Sequence, residues 1–299
     1  MSLALGLLAI AAMGASGSLV SAHNGAIGAR LGPWRATRLF MVVGSVCALV
    51  FVLVFERGSF DAVSLASLPP YVLVPGLLNG LVVAAVIRLV RVLGTVQTTA
   101  TVFTGSVTVG LLLDHAGAFD LPTIAVSGLR LAGAACLVAG VVLMASRSGT
   151  RTRHDPASGL RSSRLVLAAL SCGALDAVGV AMNTTLAVSA GPFSATVAFL
   201  LPGALLMTIV LLARPTGDAP LRASDLVPGV WNVVALAVAL SVIPSVGLHL
   251  ANGARFAAAV AAGNAVDHLG AFGGARIPID ARRLVASTLL VAGVLVSIP

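Results

Sequence analysis

The sequence predicts an all-α integral membrane protein of about ten transmembrane helices, arranged as two five-helix repeats of inverted topology. Three observations predict this fold class. The composition is too apolar for a soluble domain, ten apolar runs have the length of a bilayer span, and the second half of the chain repeats the first. Together they set the number of helices, their grouping and their direction in the membrane.

The composition places the chain in a lipid bilayer. Hydrophobic residues make up 58% of its 299 residues and charged residues 9%, whereas about a quarter of a soluble domain is charged. All 18 basic residues are arginines, which stand singly or in small groups beside apolar runs. The net charge of +8 therefore indicates topology determinants rather than a nucleic-acid surface, which needs clustered cations beside stacking aromatics. We expect the bilayer, and no nucleic acid, as a partner.

Ten apolar runs predict ten spans, since a helix needs roughly 20 residues to cross the bilayer. The first run has no positively charged segment before it, so it is predicted to be a span and not a cleaved signal peptide. The most polar stretch, 147–164, separates a first repeat at 1–146 from a second at 165–299 as an arginine-rich linker. The runs are 3–22, 36–55, 71–90, 95–113, 127–145, 165–186, 194–213, 226–243, 246–266 and 282–298.

The repeat is evident in residues that apolar composition would not align by chance. At an offset of 153 residues, Asp114-His115 pairs with Asp267-His268, and Pro75-Gly76 pairs with Pro228-Gly229. At an offset of 159, Gly32-Pro33 pairs with Gly191-Pro192. Because each half has an odd number of spans, the second half enters the membrane the other way up.

The arginines predict the absolute orientation. Fifteen of them lie in or beside loops 1, 3, 5, 7 and 9, whereas only Arg57 and Arg130 lie beside the other loops. The positive-inside rule then places both termini outside and the linker 147–164 in the cytoplasm. The predicted bundle therefore has an arginine-rich end, at loops 1, 3, 5, 7 and 9, and an arginine-poor end.

The repeated motifs resemble those of a known family. Each half has an asparagine at the end of its first helix, Pro-Gly in its third, and an aspartate followed by an aromatic-containing loop after its fourth. This order is similar to that of the YdcZ-like family in the drug/metabolite transporter superfamily, and the resemblance covers both halves. It implies a fused tandem copy with an EamA-like fold in the bacterial inner membrane. It further implies a secondary transporter, an exporter of small molecules, metabolites or drugs by alternating access, with little indication of the cargo. Ser106 and Ala259 depart from the glutamine expected at their positions.

Two ionisable residues near span centres are candidate binding residues. Asp176 lies in the sixth span and Arg255 in the ninth, and their repeat partners are Gly17 and Val102. Charges at bilayer depth cost several kcal/mol and usually face a cavity or a partner. We hypothesise that the two side chains face one central cavity and interact, with Asp176 binding a proton or a cationic substrate. The alternative is a structural ion pair.

Polar stripes on the ninth and fourth spans predict pseudo-symmetric cavity walls. His249, Asn252 and Arg255 step by three along the ninth span, and Gln97 and Thr101 begin a stripe on the fourth. The alternative is that these groups form interhelical hydrogen bonds.

Eight further residues are predicted to be hinge or structural residues. The proline and asparagine pairs of the third and eighth spans would form either a gating hinge or a static kink. The asparagines of the first and sixth spans would cap their helices or join the cavity, and the two aspartates would form turns at opposite membrane faces. These residues are Pro75, Asn79, Pro228, Asn232, Asn24, Asn183, Asp114 and Asp267.

The sequence favours transport over catalysis. It contains no nucleophile–base motif, no paired cysteines, no metal-ligand spacing and no phosphate-binding glycine loop, so we expect no enzyme activity, cofactor or metal. Coupling to a proton or another ion gradient is implied. The alternatives are a flippase for lipids or lipid-linked sugars and a membrane scaffold or sensor without flux. The expected partner is a small molecule, and both a monomer and a homo-oligomer fit the sequence.

Overall fold

A computed structural model describes residues 3–56, 73–93, 95–145, 156–213, 219–273, 276 and 278–296. Ten α-helices account for most of these residues, which confirms the predicted all-α membrane fold. Six of the helices have the length and hydropathy of a membrane span. The helices are α1 Leu3–Leu31, α2 Pro33–Phe55, α3 Leu73–Leu93, α4 Thr95–Ala116, α5 Gly128–Ala145, α6 Pro156–Ala190, α7 Pro192–Leu212, α8 Val227–Val246, α9 Leu248–Leu269 and α10 Ala281–Val296.

The predicted linker is in part helical. Helix α6 begins at Pro156, so it includes the last residues of the stretch expected to connect the halves, while 147–155 lie outside the described residues. Helix α1 likewise continues to Leu31, beyond the apolar run that ends at 22. Both extensions carry polar side chains, which ended the apolar runs without ending the helices.

Single glycines connect successive helices at equivalent places in the two halves. Gly32 joins α1 to α2 with φ 81°, and Gly191 joins α6 to α7 with φ 94°. Both angles lie in the region that glycine reaches without a Cβ penalty. Pro33 and Pro192 follow as the first helical residues, where the missing N–H costs no helical hydrogen bond.

The halves pack against each other with two-fold pseudosymmetry. The two most extensive interfaces join α4 to α6 and α1 to α9. Helix α6 is the repeat partner of α1, and α9 is that of α4. The two interfaces are therefore equivalent under the symmetry that relates the halves. Helices α2 and α7 pack on each other, as do α5 and α10. In each of these pairs the two helices are repeat partners, so each pair lies across the pseudo-two-fold axis.

Backbones meet at two glycines at the equivalent crossings. A Cβ at Gly14 of α1 would lie 1.9 Å from the carbonyl oxygen of Arg255, and a Cβ at Gly173 of α6 would lie 1.7 Å from that of Val102. Gly14 and Gly173 are repeat partners, and so are Val102 and Arg255. Small residues allow membrane helices to approach this closely, so each half supplies one such crossing.

The prolines predicted to bend the third and eighth helices lie near the first described residues of those helices. Pro228 occupies the first turn of α8, and Pro75 is the third residue of α3 as described. A proline in a first turn removes no i→i−4 hydrogen bond, which applies to Pro228. The residues before Leu73 lie outside the described part of the chain, so the hinge or kink stays a prediction. Prolines inside helices are also found at Pro202 of α7 and Pro244 of α8.

Candidate functional site

A cavity of about 220 Å³ lies between the two halves. Helices α1, α3, α4, α6, α8 and α9 supply most of its wall. One side is apolar and comes mainly from α3, whose β-branched side chains follow one another along the helix face. These are Val82, Val83, Val86, Ile87 and Val90.

The two central ionisable residues meet in this cavity. Arg255 Nη2 lies 3.3 Å from Asp176 Oδ2, and each side chain is 22% exposed. The Arg255 guanidinium also lies over the Phe103 ring, 4.7 Å from its centroid, which is a cation–π distance. Its Nε has no hydrogen-bond partner among the described residues. One ionic contact and one aromatic contact therefore hold the cation, and both border open space.

Three asparagines predicted to be structural lie on the cavity wall: Asn24, Asn79 and Asn232. Asn79 Nδ2 is 3.9 Å from Met41 Sδ, a weak contact. Asn24 makes no side-chain hydrogen bond to any described residue. With Ser18, Ser21 and Thr99, these amides add neutral polar groups around the ion pair.

The other residues predicted to line the cavity lie on α4 and α9. His249 is 1% exposed and its Nδ1 lies 3.1 Å from the Val107 carbonyl oxygen. Asn252 donates to Ser106 Oγ at 3.0 Å. Thr101 Oγ1 donates to the Gln97 carbonyl oxygen at 2.8 Å. None of the four predicted residues, His249, Asn252, Gln97 and Thr101, is among the described residues of the wall.

Helix geometry explains why the predicted stripe divides. Three residues of an α-helix turn through about 300°, so steps of three drift around the axis by roughly 60° each. Residues 249 and 255 therefore face directions about 120° apart. Arg255 reaches the cavity while His249 is held against α4, and Asn252 lies between them.

The remaining predicted structural residues connect helices. Asp114, at the end of α4, accepts hydrogen bonds from the backbone N–H groups of Leu248 at 3.0 Å and His249 at 2.9 Å. Asn183 donates to the Ala195 carbonyl oxygen at 2.8 Å. Asp267 lies 3.5 Å from Arg283 Nη1. Asp114 thus caps α9 from the other half of the protein.

We expect Asp114→Ala to lower the stability of the folded protein by about 1–2 kcal/mol, the usual effect of losing an N-terminal cap. The carboxylate is 1% exposed, so water cannot replace it readily at the two N–H groups. Thermal unfolding in detergent would measure the change. Asp120→Asn, at an exposed carboxylate whose φ of 58° asparagine also tolerates, is the control. Equal melting temperatures for the two variants would contradict the capping role.

Several residues of the site carried no prediction from the sequence. Phe103 and Trp231 line the cavity, and the Trp231 Nε1 is buried without a partner among the described residues. Gly17 also lines it, with no atom within 4 Å of where its Cβ would stand. Gly17 was available from the repeat as the partner of Asp176, whereas no sequence signal distinguishes Phe103 from other apolar residues.

The cavity occupies the half of the bundle nearer the arginine-rich end. It meets α1 at residues 13–24, toward the end that joins loop 1, and α4 at 99–103, near its start at loop 3. Asp176 and Arg255 lie near its deepest level, about half-way along their helices.

At the arginine-poor end, packed contacts join the described end of α2 to the start of α7. Glu56, after α2, accepts bonds from the backbone N–H groups of Phe193 at 2.8 Å and Ser194 at 2.9 Å, at the start of α7. Phe51 and Phe55 pack on Phe193, with ring centroids 5.2 and 5.7 Å away. The sequence indicated no partner for Glu56, because a carboxylate at a helix end can cap any helix that packs nearby.

Comparisons with known proteins agree with this fold and its two halves. The family model described as "Putative inner membrane exporter, YdcZ" matches residues 5–143 and again 164–296. A solved structure described as "Crystal structure of protein" superposes with a TM-score of 0.67 at 20% identity, over 98% of this chain and 94% of that one. At that identity the likeness concerns the fold alone. No curated protein matches the chain significantly.

Proposed function

The chain belongs to the YdcZ family of inner membrane exporters, and from this membership we propose that it is a secondary transporter of small amphipathic molecules. The substrate binds in the cavity between the halves, beside Asp176 and Arg255. Alternating access comes from a movement of one half against the other.

The ion pair in the cavity is the observation that carries this proposal. A carboxylate and a guanidinium at mid-span cost several kcal/mol to place there. A purely structural pair would gain most by full burial with every polar atom satisfied. Here both side chains remain 22% exposed to the cavity, and Arg255 Nε is unpaired. This arrangement leaves both charges accessible to a ligand.

The chemistry of the wall favours an amphipathic substrate. The valines of α3 and the rings of Phe103 and Phe199 accept an apolar body, while Asp176 accepts a cationic group or a proton. When Asp176 is neutralised in this way, Arg255 loses its ionic partner and keeps its contact with the Phe103 ring. Substrate and proton would therefore compete for one carboxylate, which is a means of coupling export to a proton gradient.

The asymmetry of the two halves supports alternating access. Asn24 faces the cavity without a hydrogen bond to a described residue, while its repeat partner Asn183 is 1% exposed and bonded to Ala195. The two halves thus hold equivalent residues in different environments. An exchange of these environments would close the arginine-rich end and open the other. With the arginine-rich end in the cytoplasm and both termini outside, the cavity faces the cytoplasm, where an exporter loads.

Flux in proteoliposomes with an imposed pH gradient tests the proposal. A panel of small amphipathic cations, zwitterions and neutral compounds would be assayed with the wild type and Asp176→Asn. We expect gradient-driven flux of at least one class in the wild type and its loss in Asp176→Asn. Asp120→Asn, which changes an exposed loop carboxylate outside the cavity, should transport normally.

Three results would contradict the proposal. Absence of flux for the whole panel, with folded protein in the vesicles, would favour a scaffold or sensor. Undiminished flux in Asp176→Asn would make the ion pair structural. Movement of a labelled lipid instead of the soluble panel would favour the flippase alternative.

A further inference from the structure

The charges that line the central cavity are balanced. Among the described residues of its wall, only Asp176 and Arg255 are ionisable, one an acid and the other a base. The remaining polar groups of the wall are neutral hydroxyls, amides and the indole of Trp231. When both ionisable side chains are charged, the cavity therefore has no net charge.

The two charged groups satisfy each other only in part. They share one hydrogen bond, from Arg255 Nη2 to Asp176 Oδ2 at 3.3 Å, whereas charge-assisted N–H···O bonds are usually about 2.7–2.9 Å long. Nε and Nη1 of Arg255 and Oδ1 of Asp176 have no hydrogen-bond partner among the described residues. The Phe103 ring beside the guanidinium supplies no acceptor oxygen. The acid can therefore accept a further donor, and the base can donate to a further acceptor.

A ligand with a single charge would compensate only half of this site. A cation at Asp176 takes the carboxylate from Arg255 and leaves the guanidinium with an aromatic contact alone. An anion at Arg255 leaves the carboxylate without its cation. An uncompensated charge at bilayer depth is unfavourable. A ligand that carries both charges compensates the acid and the base together, and the cavity stays neutral.

We propose that the substrate of this cavity is a compact zwitterion with an apolar body, such as an α-amino acid with a hydrophobic side chain. This inference rests on the proposed transport function. The ammonium group binds Asp176, the carboxylate binds Arg255, and the body lies against the valines of α3. The ligand's own charges must lie a few bonds apart, because the paired atoms of the site are 3.3 Å apart. The cavity of about 220 Å³ is also smaller than the roughly 300 Å³ at which pockets for drug-sized ligands begin.

Matched compounds measure the contribution of each charge. Phenylalanine is a zwitterion at neutral pH, phenethylamine lacks its carboxylate, and hydrocinnamate lacks its amine. Leucine, isoamylamine and isocaproate form a second series. Binding to the full chain in neutral detergent would be measured by isothermal titration calorimetry. In at least one series we expect the zwitterion to bind at least about tenfold more tightly than either matched ion.

Neutralising one member of the pair should change the preferred charge of the ligand. In Arg255→Gln the remaining carboxylate should favour phenethylamine over phenylalanine. In Asp176→Asn the remaining guanidinium should favour hydrocinnamate. A pair that only held the helices together would produce no such reversal. Asp120→Asn, at an exposed carboxylate outside the cavity, should keep the order of the wild type.

A third variant keeps the test decisive if the neutralised proteins do not fold. Gly17→Asp retains both members of the pair and places its side chain where no atom lies within 4 Å of the added Cβ. The cavity then gains a net negative charge, so the preference should move from phenylalanine to phenethylamine.

Two results would overturn the inference: a wild type that binds a matched ion as tightly as the zwitterion in both series, or an order of affinities that is unchanged in every cavity variant. Flux in proteoliposomes separates this inference from the transport proposal. Gradient-driven flux of the cations without the zwitterions would contradict the inference and leave the transport proposal standing. Tight binding of a zwitterion without its flux would support the inference and contradict transport.

Discussion

Alanine at Gly14 is expected to destabilise the protein by at least about 3 kcal/mol, whereas alanine at Gly17, three residues further along α1, leaves it folded. The added methyl carbon at Gly14 would lie 1.9 Å from the Arg255 carbonyl oxygen and 2.8 Å from its Cα. These are backbone atoms of α9, so no side-chain rotation relieves the overlap. The helices must separate at one of the two largest interfaces between the halves.

Gly17 is a matched control because it lies on the same helix and faces open space. Its replacement by alanine also removes the entropic penalty of a helical glycine, which is about 0.5–1 kcal/mol. Gly173→Ala should reproduce the Gly14 effect in the other half, since its methyl carbon would lie 1.7 Å from the Val102 carbonyl oxygen. Thermal unfolding and size-exclusion elution in detergent would measure all three. Normal elution and melting of Gly14→Ala would show that α1 and α9 do not cross as described.

Exchanging the ion pair, Asp176→Arg with Arg255→Asp, is expected to preserve folding and lower flux at least about tenfold. The exchanged charges can still attract each other, so a merely structural pair would be largely restored. The carboxylate would however stand on α9 instead of α6, and the guanidinium would leave the Phe103 ring. A displaced charge needs to weaken substrate binding by only about 1.4 kcal/mol for a tenfold effect.

The single variant Arg255→Leu completes this experiment. It leaves Asp176 without its cation, so we expect a stability loss of about 1–3 kcal/mol together with the loss of flux. Flux in proteoliposomes and thermal unfolding would be measured on the same preparations. Wild-type flux in the exchange variant would assign the pair to helix packing and exclude it from transport.

Much of the fold could be predicted because it depends on hydropathy and on repeated motifs, both of which are visible in the linear sequence. Apolar runs of span length indicated every one of the ten helices, and repeated unlike residues such as Asp-His and Gly-Pro indicated the duplication. Helix ends were less predictable. The first apolar run, 3–22, stopped before His23 and Asn24, yet α1 continues to Leu31 and Asn24 lines the cavity.

The candidate site was predictable only where polarity is extreme. Asp176 and Arg255 were found because a charge in an apolar span requires a partner or a cavity. Neutral polar residues can form hydrogen bonds either in a cavity or between packed helices. Which of the two each one does depends on how its helix is rotated about its axis. His249 and Asn252 therefore bind α4, while Asn79 and Asn232 reach the cavity. The rotation of a helix is set by contacts such as the close approach of Gly14 to the Arg255 backbone. These two residues are 241 positions apart, so no local sequence pattern indicates the contact.

The open space at Gly17 also bears on how a duplicated gene can diverge. In a dimer of separate, identical five-helix chains, any carboxylate acquired at this position would appear twice, on both sides of the cavity. In the fused chain each position mutates alone, so the repeat counterpart of Asp176 is a glycine, Gly17, and that of Arg255 is a valine, Val102. Joining the halves thus allowed one cavity to carry a single charge pair, with room left where the second acid would have stood.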